Sequence, residues 1–280
     1  MIKAISYWSM SGGLEGSCPI EAAMTAAQGA GFNGIELCIA ETGVLTPSTD
    51  EVTCRAYAAL ATRHGLEMLT LASGMSWGAS PTHPDAAVRR KAIALHRDAL
   101  QRAAWLGCQT MLFVPGAVMI PWDPNYKPVR YDQAVAWAHE AVAELGEMAT
   151  HVGVDLAVEN VWNGLFYSPL ELAQFVDSFH NPRIGVYFDV GNVMNHQQWP
   201  PHWIEILGPR IRAIHLKDFK MATGTLAGFC DLLAGDVPFQ LVMKALQSIG
   251  YRKTLVAEMM PHDSTLLDRT SKAMDKISAM

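Results

Sequence analysis

Four apolar segments in the second half of the chain each carry one side chain that could bind a cation or move a proton. Glu159 closes DLAVE, Asp189 closes IGVYFD, His215 lies in RAIHL and Glu258 closes TLVAE. An ionised side chain is costly in an apolar segment unless an opposite charge meets it or it stays protonated. Carboxylates and imidazoles transfer protons and bind metals, so these residues predict such chemistry if they lie together.

Strand geometry predicts that they do lie together. Successive side chains of a strand point to opposite faces of its sheet. If the four segments are strands of one closed sheet, this alternation places all four side chains on its inner face. Three carboxylates at one point repel strongly unless a cation neutralises them. We therefore predict one divalent metal ion bound by Glu159, Asp189, His215 and Glu258. Oxygen-rich ligation with one imidazole favours Mn²⁺ or Mg²⁺, with Co²⁺ and Zn²⁺ as alternatives.

A plain salt bridge is the competing interpretation. Lys217 also points inward, two residues after His215, and any single buried carboxylate could pair with it. Four such side chains at matching depth on successive strands favour the metal site over this alternative.

The elements that must hold these residues alternate eight times between a short apolar segment and a longer segment of helical period. The predicted strands are residues 3–8, 34–40, 67–73, 110–116, 155–161, 184–190, 212–218 and 253–259. Eight strand-then-helix units in 280 residues predict an α/β fold, a (β/α)8 TIM barrel. A doubly wound sheet is the alternative, but no Gly-x-Gly-x-x-Gly follows the first strand.

Turn residues predict where the helices begin and end. Ser168 and Pro169 are typical of an N-cap and the first helical position. Five glycines are placed where a helix C-terminus favours positive φ: Gly31, Gly65, Gly107, Gly153 and Gly250. No linker rich in Pro, Gly or Ser divides the chain, so residues 1–280 are predicted to form a single domain.

Composition restricts the class of partner. The net charge of −6 argues against nucleic acid or an anionic membrane, which leaves a small molecule as the expected ligand. Five scattered cysteines without a C-x-x-C pair indicate neither a disulfide framework nor a structural zinc site, and they favour a cytoplasmic location. No signal peptide or long apolar segment is present, so an unprocessed protein is expected. Assembly as a homo-oligomer is left open.

Several motifs resemble one known family. The segments LAVENVWN, YFDVGNVM, IHLKDFK, LLAGDVPF and LVAEM are similar to the sugar phosphate isomerase/epimerase group of xylose-isomerase-like barrels. That group includes D-tagatose 3-epimerase, L-ribulose-5-phosphate 3-epimerase, hydroxypyruvate isomerase and inosose dehydratase. The resemblance implies that the residues matching the family's Glu, Asp, His and Glu bind its metal, which are Glu159, Asp189, His215 and Glu258. The H-x-K-D element favours the ribulose-phosphate branch, whereas Asn192 departs from a histidine typical of free-ketose epimerases.

The predicted site supports proton transfer beside a metal-polarised carbonyl, and this transfer can lead to three reactions. A metal polarises the carbonyl of a ketose, so that a carboxylate can remove the adjacent proton and form a metal-bound cis-enediolate. The resemblance implies that Glu159 and Glu258 act from opposite sides of the sugar, which inverts the carbon in a 3-epimerisation. Returning the proton to the neighbouring carbon would be aldose-ketose isomerisation, and expelling a β-hydroxyl would be an inosose-type dehydration.

Five more residues are predicted to bind substrate: Lys217, Asn192, Glu36, Trp162 and His262. Each has an alternative role. Lys217 could form a salt bridge, and Glu36 could orient a neighbouring side chain. Trp162 could pack in the core, and His262 could be solvated. Asn192 could instead support the adjacent ligand, as Asn160 could. Lys217, Lys220 and three glycines around the loop 219–237 leave open whether the substrate carries a phosphate.

Two other classes of protein are weighed against an enzyme of this kind. A non-catalytic sugar-binding barrel would need metal ligands but not two flanking glutamates. An endonuclease of the abasic-site type would need a histidine-rich trinuclear zinc site and a basic face, and the chain offers one strand histidine and an acidic balance.

Overall fold

The computed structural model, which describes residues 1–280, is built around a closed barrel of eight parallel strands. The neighbouring strands around the barrel follow the order β1-β10-β7-β6-β5-β4-β3-β2. Their bounds are β1 Ile2–Ser6, β2 Gly34–Ile39, β3 Thr70–Ser73, β4 Thr110–Phe113, β5 Asp155–Glu159, β6 Ile184–Asp189, β7 Ile211–Leu216 and β10 Thr254–Ala257. The remaining two strands, β8 Asp218–Phe219 and β9 Phe229–Cys230, form a short antiparallel ribbon beyond β7. The predicted (β/α)8 barrel is confirmed.

Nine α-helices surround the barrel. They are α1 Ile20–Gly29, α2 Glu51–Arg63, α3 Ala86–Leu106, α4 Tyr131–Val152, α5 Pro169–Asp177, α6 Val190–Asn195, α7 Pro200–Leu207, α8 Phe239–Ser248 and α9 Leu266–Ser278. Two of them, α6 and α7, follow β6, where the alternation predicts one. The chain breaks there because Pro200 and Pro201 can begin a helix but cannot continue one.

The predicted helix boundaries are confirmed at the positions that carry turn residues. All five glycines predicted to end a helix have φ between +66° and +85°. The Ser168 side chain accepts a hydrogen bond from the Leu170 N–H at 3.3 Å, and Pro169 is the first residue of α5.

The strands end earlier than predicted. The ladder of β7 stops at Leu216 and that of β10 at Ala257, so Lys217 and Glu258 lie just beyond the ladders. The Glu258 N–H still donates to the Leu216 carbonyl at 3.2 Å. Because this bond continues the extended path, the side-chain alternation persists to Glu258.

Parallel register aligns the strand ends. Glu159 lies beside Tyr187 across β5 and β6, and Asp189 lies beside His215 across β6 and β7. One cluster of 78 buried residues fills the barrel and the layer between strands and helices. The packed core therefore holds four strand ends at one level, at the C-terminal face of the barrel.

Candidate metal centre and cavity

Four side chains from neighbouring strands meet at this face. Glu159 ends β5, Asp189 ends β6, His215 is the penultimate residue of β7 and Glu258 follows β10. One ligand atom of each lies within 4.8 Å of those of the other three. All four side chains are buried. The convergence predicted from alternation is present, and the role of these residues as metal ligands stays a prediction.

Asp189 is held by the start of a helix. Its Oδ1 accepts hydrogen bonds from the Gly191 and Asn192 N–H groups at 2.8 and 2.9 Å, so Asp189 is the N-cap of α6. The Asn160 side chain adds two bonds to the Asp189 backbone, donating to its carbonyl and accepting from its N–H, each at 2.9 Å. These contacts fix the carboxylate and leave Oδ2 for the site.

His215 is oriented by a carboxylate from the opposite side of the barrel. Its Nε2 lies 2.8 Å from Glu36 Oε1, and the other Glu36 oxygen accepts a hydrogen bond from the Tyr187 hydroxyl. Since a carboxylate only accepts, Nε2 carries the proton and Nδ1 faces the site. Both oxygens of the fully buried Glu36 are used in this way. These contacts support the alternative role of Glu36, orienting a neighbour, and its contact with substrate stays a prediction.

Lys217 forms the salt bridges that the competing interpretation proposes. Its Nζ lies 2.9 Å from Glu258 Oε1 and 3.1 Å from Asp189 Oδ2. One lysine faces three carboxylates in this cluster, with Glu159 as the third. Lys217 therefore offsets part of the negative charge of the three carboxylates.

The electrostatic environment moves the pKa values of the two glutamates apart. Burial raises the pKa of Glu159 to about 7. Burial acts in the same direction on Glu258, but Lys217 and His215 outweigh it and lower the pKa of Glu258 to about 2. In His215 the effect of burial is outweighed by Glu36 and Glu258, which raise the pKa of the imidazole well above its usual value. Two carboxylates with different proton affinities suit an acid and a base.

Three buried atoms of the cluster test whether a metal fits. Asp189 Oδ2, His215 Nδ1 and Glu258 Oε2 form no hydrogen bond of good geometry, and their polar contacts are the ion pairs within the cluster. His215 Nδ1 lies 2.8 Å from Glu258 Oε2, 3.7 Å from Glu159 Oε1 and 3.9 Å from Asp189 Oδ2. Ligands about 2.1 Å from one ion are at most about 4.2 Å apart, so the three separations from His215 Nδ1 suit a shared ion. An oxygen-rich set with unsatisfied buried atoms could hold one divalent metal.

A cavity of about 400 Å³ opens above this cluster. Glu159, Lys217 and Glu258 form its floor, and ten of its 17 lining residues are hydrophobic. Trp162 lines this cavity and a second one of about 230 Å³ beside the β8–β9 ribbon, and its ring stacks on that of Trp77 with centroids 5.7 Å apart. Apolar walls with a few convergent polar groups are typical of a small-molecule site.

The remaining predicted substrate contacts divide into two groups. Lys217 and Trp162 line the cavity. Asn192 does not, because it is fully buried: its Nδ2 donates to the Asn160 carbonyl and its Oδ1 accepts from Trp162 Nε1, each at 3.0 Å. His262 is exposed and lies 2.9 Å from the Ser9 carbonyl, outside the residues that line either cavity. The contacts of Asn192 support the alternative role of holding its neighbours, and the direct substrate contacts of Asn192 and His262 stay predictions.

Sequence reasoning missed several residues that line the cavity. Glu41, Met75 and Met260 come from loops after β2, β3 and β10, together with Leu14 from the loop after β1. Loop residues carry no periodic signal, so their position after a strand end was the one available indication.

Comparison with known proteins agrees with the fold. The model of the xylose isomerase-like TIM barrel family matches residues 24–279. SgbU of Escherichia coli (strain K12), whose provisional name is L-ribulose-5-phosphate 3-epimerase, is 30% identical over 178 residues, or 62% of this chain. That match spans 60% of SgbU, less than two thirds of its length.

Two solved structures share the whole fold. A D-tagatose 3-epimerase-like protein superimposes with a TM-score of 0.81, and the match covers all of this chain and 97% of that one. D-psicose 3-epimerase of Clostridium cellulolyticum H10, solved with D-tagatose, gives a TM-score of 0.80 and covers 100% and 99% of the two chains. Each is 19% identical to this chain, so the likeness establishes the barrel.

Proposed function

The chain belongs to the xylose isomerase-like TIM barrel family, and on that premise we propose that it is a divalent-metal-dependent sugar epimerase acting at C3 of a ketose. The observation that carries this proposal is the convergence of Glu159, Asp189, His215 and Glu258 beneath an apolar cavity. The 3-epimerase names of SgbU and of the D-psicose enzyme support the same reaction type.

The same four residues would hold the metal, with Mn²⁺ as the expected ion and Mg²⁺, Co²⁺ or Zn²⁺ as alternatives. When bound, a divalent ion acts as a Lewis acid that polarises the ketose carbonyl and makes the adjacent C–H acidic. Glu36 orients the imidazole of His215, and the α6 N-terminus orients Asp189. Lys217 would hold a substrate oxygen while it keeps Glu258 ionised.

Two glutamates perform the proton transfers. Glu159 and Glu258 both line the cavity, and their strands are separated by β6 and β7, so they reach the substrate from two sides. The ionised carboxylate removes the proton from C3, which leaves a cis-enediolate. The protonated carboxyl group then gives its proton to the opposite face of C3, which inverts that carbon. In the metal-free protein the pKa of Glu159 is raised and that of Glu258 is lowered, so the two carboxylates differ in proton affinity.

Substitution of either glutamate tests this assignment. Glu159→Gln and Glu258→Gln should each fold and lose C3–H exchange with D2O by at least about a hundredfold, because an amide transfers no proton. The measurement is deuterium incorporation into a panel of ketoses, read at each carbon by NMR, with Mg²⁺-loaded protein. Glu140→Gln, on the exposed face of α4, is the matched control.

Unchanged exchange in Glu159→Gln would remove that residue from the mechanism. Deuterium at C1 or C2 instead of C3 would indicate aldose-ketose isomerisation in place of epimerisation, and loss of a hydroxyl would indicate a dehydratase.

No helix has the length and apolar character that a membrane span requires. The cytoplasmic location and the homo-oligomer stay predictions.

A further inference from the structure

Building on the proposed function, we propose that the substrate is an uncharged sugar and that the cavity excludes sugar phosphates. The cavity offers an anion one lysine, Lys217, and no arginine. That lysine already contacts Asp189 and Glu258. The second cavity beside it also has Lys217 as its one cationic residue. A phosphate buried there would lack the charge-assisted donors that binding a dianion requires.

The loop where barrels commonly hold phosphate is filled by the chain's own carboxylates. In the segment after β7, Asp218 Oδ1 accepts from the Phe219 and Val237 N–H groups at 2.8 and 3.1 Å, and Oδ2 accepts from the Gly235 N–H at 2.9 Å. Backbone N–H groups of a loop at this end of a barrel are the type of donor that binds phosphate in other barrels. A Cβ added at Gly235 would lie 2.3 Å from Asp218 Oδ1, so the glycine serves this internal contact.

Other donors of the same loop are used internally as well. Asp236 Oδ2 accepts from the Met221 N–H at 2.8 Å, and the Lys220 N–H donates to the Gly228 carbonyl at 2.8 Å. The Lys220 side chain is exposed and lines neither cavity. The Lys220 backbone and the glycines Gly228 and Gly235 are therefore used in contacts within the loop.

The part of the cavity away from the carboxylates is apolar with an acidic edge. Trp8, Met75 and Trp77 form its walls, and their faces suit the C–H surface of a sugar. Glu41 is the one charged group on this side, and it forms a partly exposed ion pair of 2.6 Å with Lys91. The end of the substrate remote from the carbonyl therefore meets apolar surface and a carboxylate. The proposed substrate of this chain therefore differs from the one named for SgbU, which is a sugar phosphate.

Binding of matched sugar pairs tests the inference without relying on turnover. The intrinsic fluorescence of the cavity tryptophans in Mg²⁺-loaded protein should report binding of L-ribulose against L-ribulose 5-phosphate, and of D-fructose against D-fructose 6-phosphate. The free sugar of at least one pair should bind at least about tenfold more tightly than its phosphate. Equal or tighter binding of the phosphates, or no binding of any free sugar, overturns the inference.

This result is separable from the proposed function. Free sugars that bind without C3 exchange would contradict the proposed epimerase activity and support the exclusion of phosphates. C3 exchange confined to the sugar phosphates would support the epimerase activity and contradict the exclusion of phosphates.

Removing the charge at the cavity edge gives a second test. Glu41→Gln should shift the ratio of phosphate to free-sugar affinity toward the phosphate by about fivefold, since it removes one repulsive charge and releases Lys91. Glu140→Gln is the control, and an equal shift in both variants would contradict the assignment.

Discussion

Asp189 uses its two carboxylate oxygens for different tasks. Oδ1 caps α6 through two N–H groups, and Oδ2 is buried, faces the candidate metal centre and lies 3.1 Å from Lys217 Nζ. His215 divides its nitrogens in the same way, with Nε2 on Glu36 and Nδ1 toward the centre. At both residues one atom fixes the side chain and the other faces the centre, which is how preorganised metal sites are built.

The protonation of the cluster predicts how metal affinity depends on pH. A metal ligand must be deprotonated, and in the metal-free protein the pKa of Glu159 is raised to about 7 and that of His215 is also raised. Metal must therefore displace protons at low pH. Affinity for Mn²⁺ should fall from pH 8 to pH 6, by about tenfold from Glu159 alone. Calorimetric titration at the two pH values measures this, and equal affinities would contradict the protonation assigned to Glu159.

At the scale of elements, α6 must approach β7 closely to bring Asp189 beside His215. Gly191 permits this approach, because a Cβ there would lie 2.5 Å from Lys217 Cβ and 3.0 Å from its carbonyl carbon. Gly191→Ala should lower the free energy of unfolding by about 1–3 kcal/mol, the range for overpacking. It should also reduce C3 exchange, since Lys217 must shift. Thermal unfolding and the exchange assay measure the two effects.

Gly29, the last residue of α1, provides the matched control for that substitution. A Cβ added there has no atom within 4 Å. Gly29→Ala should be neutral or stabilise by up to about 1 kcal/mol through the helix propensity of alanine. If the two substitutions change the free energy of unfolding equally, the close approach of α6 to β7 does not require a glycine at position 191.

Single strands were predictable from sequence, and contacts across the barrel were not. Alternation placed Glu159, Asp189 and His215 on the inner face because each strand carries that pattern locally. It could not show that Glu36 meets His215 and Tyr187, which are 179 and 151 residues away. Which inward side chains meet depends on the order and stagger of the strands, and the sequence of a single strand determines neither.

At the scale of the whole molecule, eight repeated units predicted the barrel, and the family comparison agrees with it. The proposal that residues 1–280 form one domain is supported by barrel strands that run from Ile2 to Ala257 around one core cluster. Whether the substrate carries a phosphate could not be predicted from the sequence, because the positions of lysines and glycines do not show which loop N–H groups are already bonded. The hydrogen bonds of Asp218 show that the Gly235 and Val237 N–H groups are bonded within the loop.

Metal titration of the metal-free protein is the measurement that tests the central claim most directly. Wild-type protein and His202→Ala, which alters an exposed histidine of α7, should each bind about one Mn²⁺ per chain with similar affinity. His215→Ala should remain folded and lose this binding, because the site then keeps three carboxylates and no imidazole. Binding of one ion by His215→Ala with wild-type affinity, or no binding by the wild-type protein, would contradict the claim that these four side chains form a metal centre.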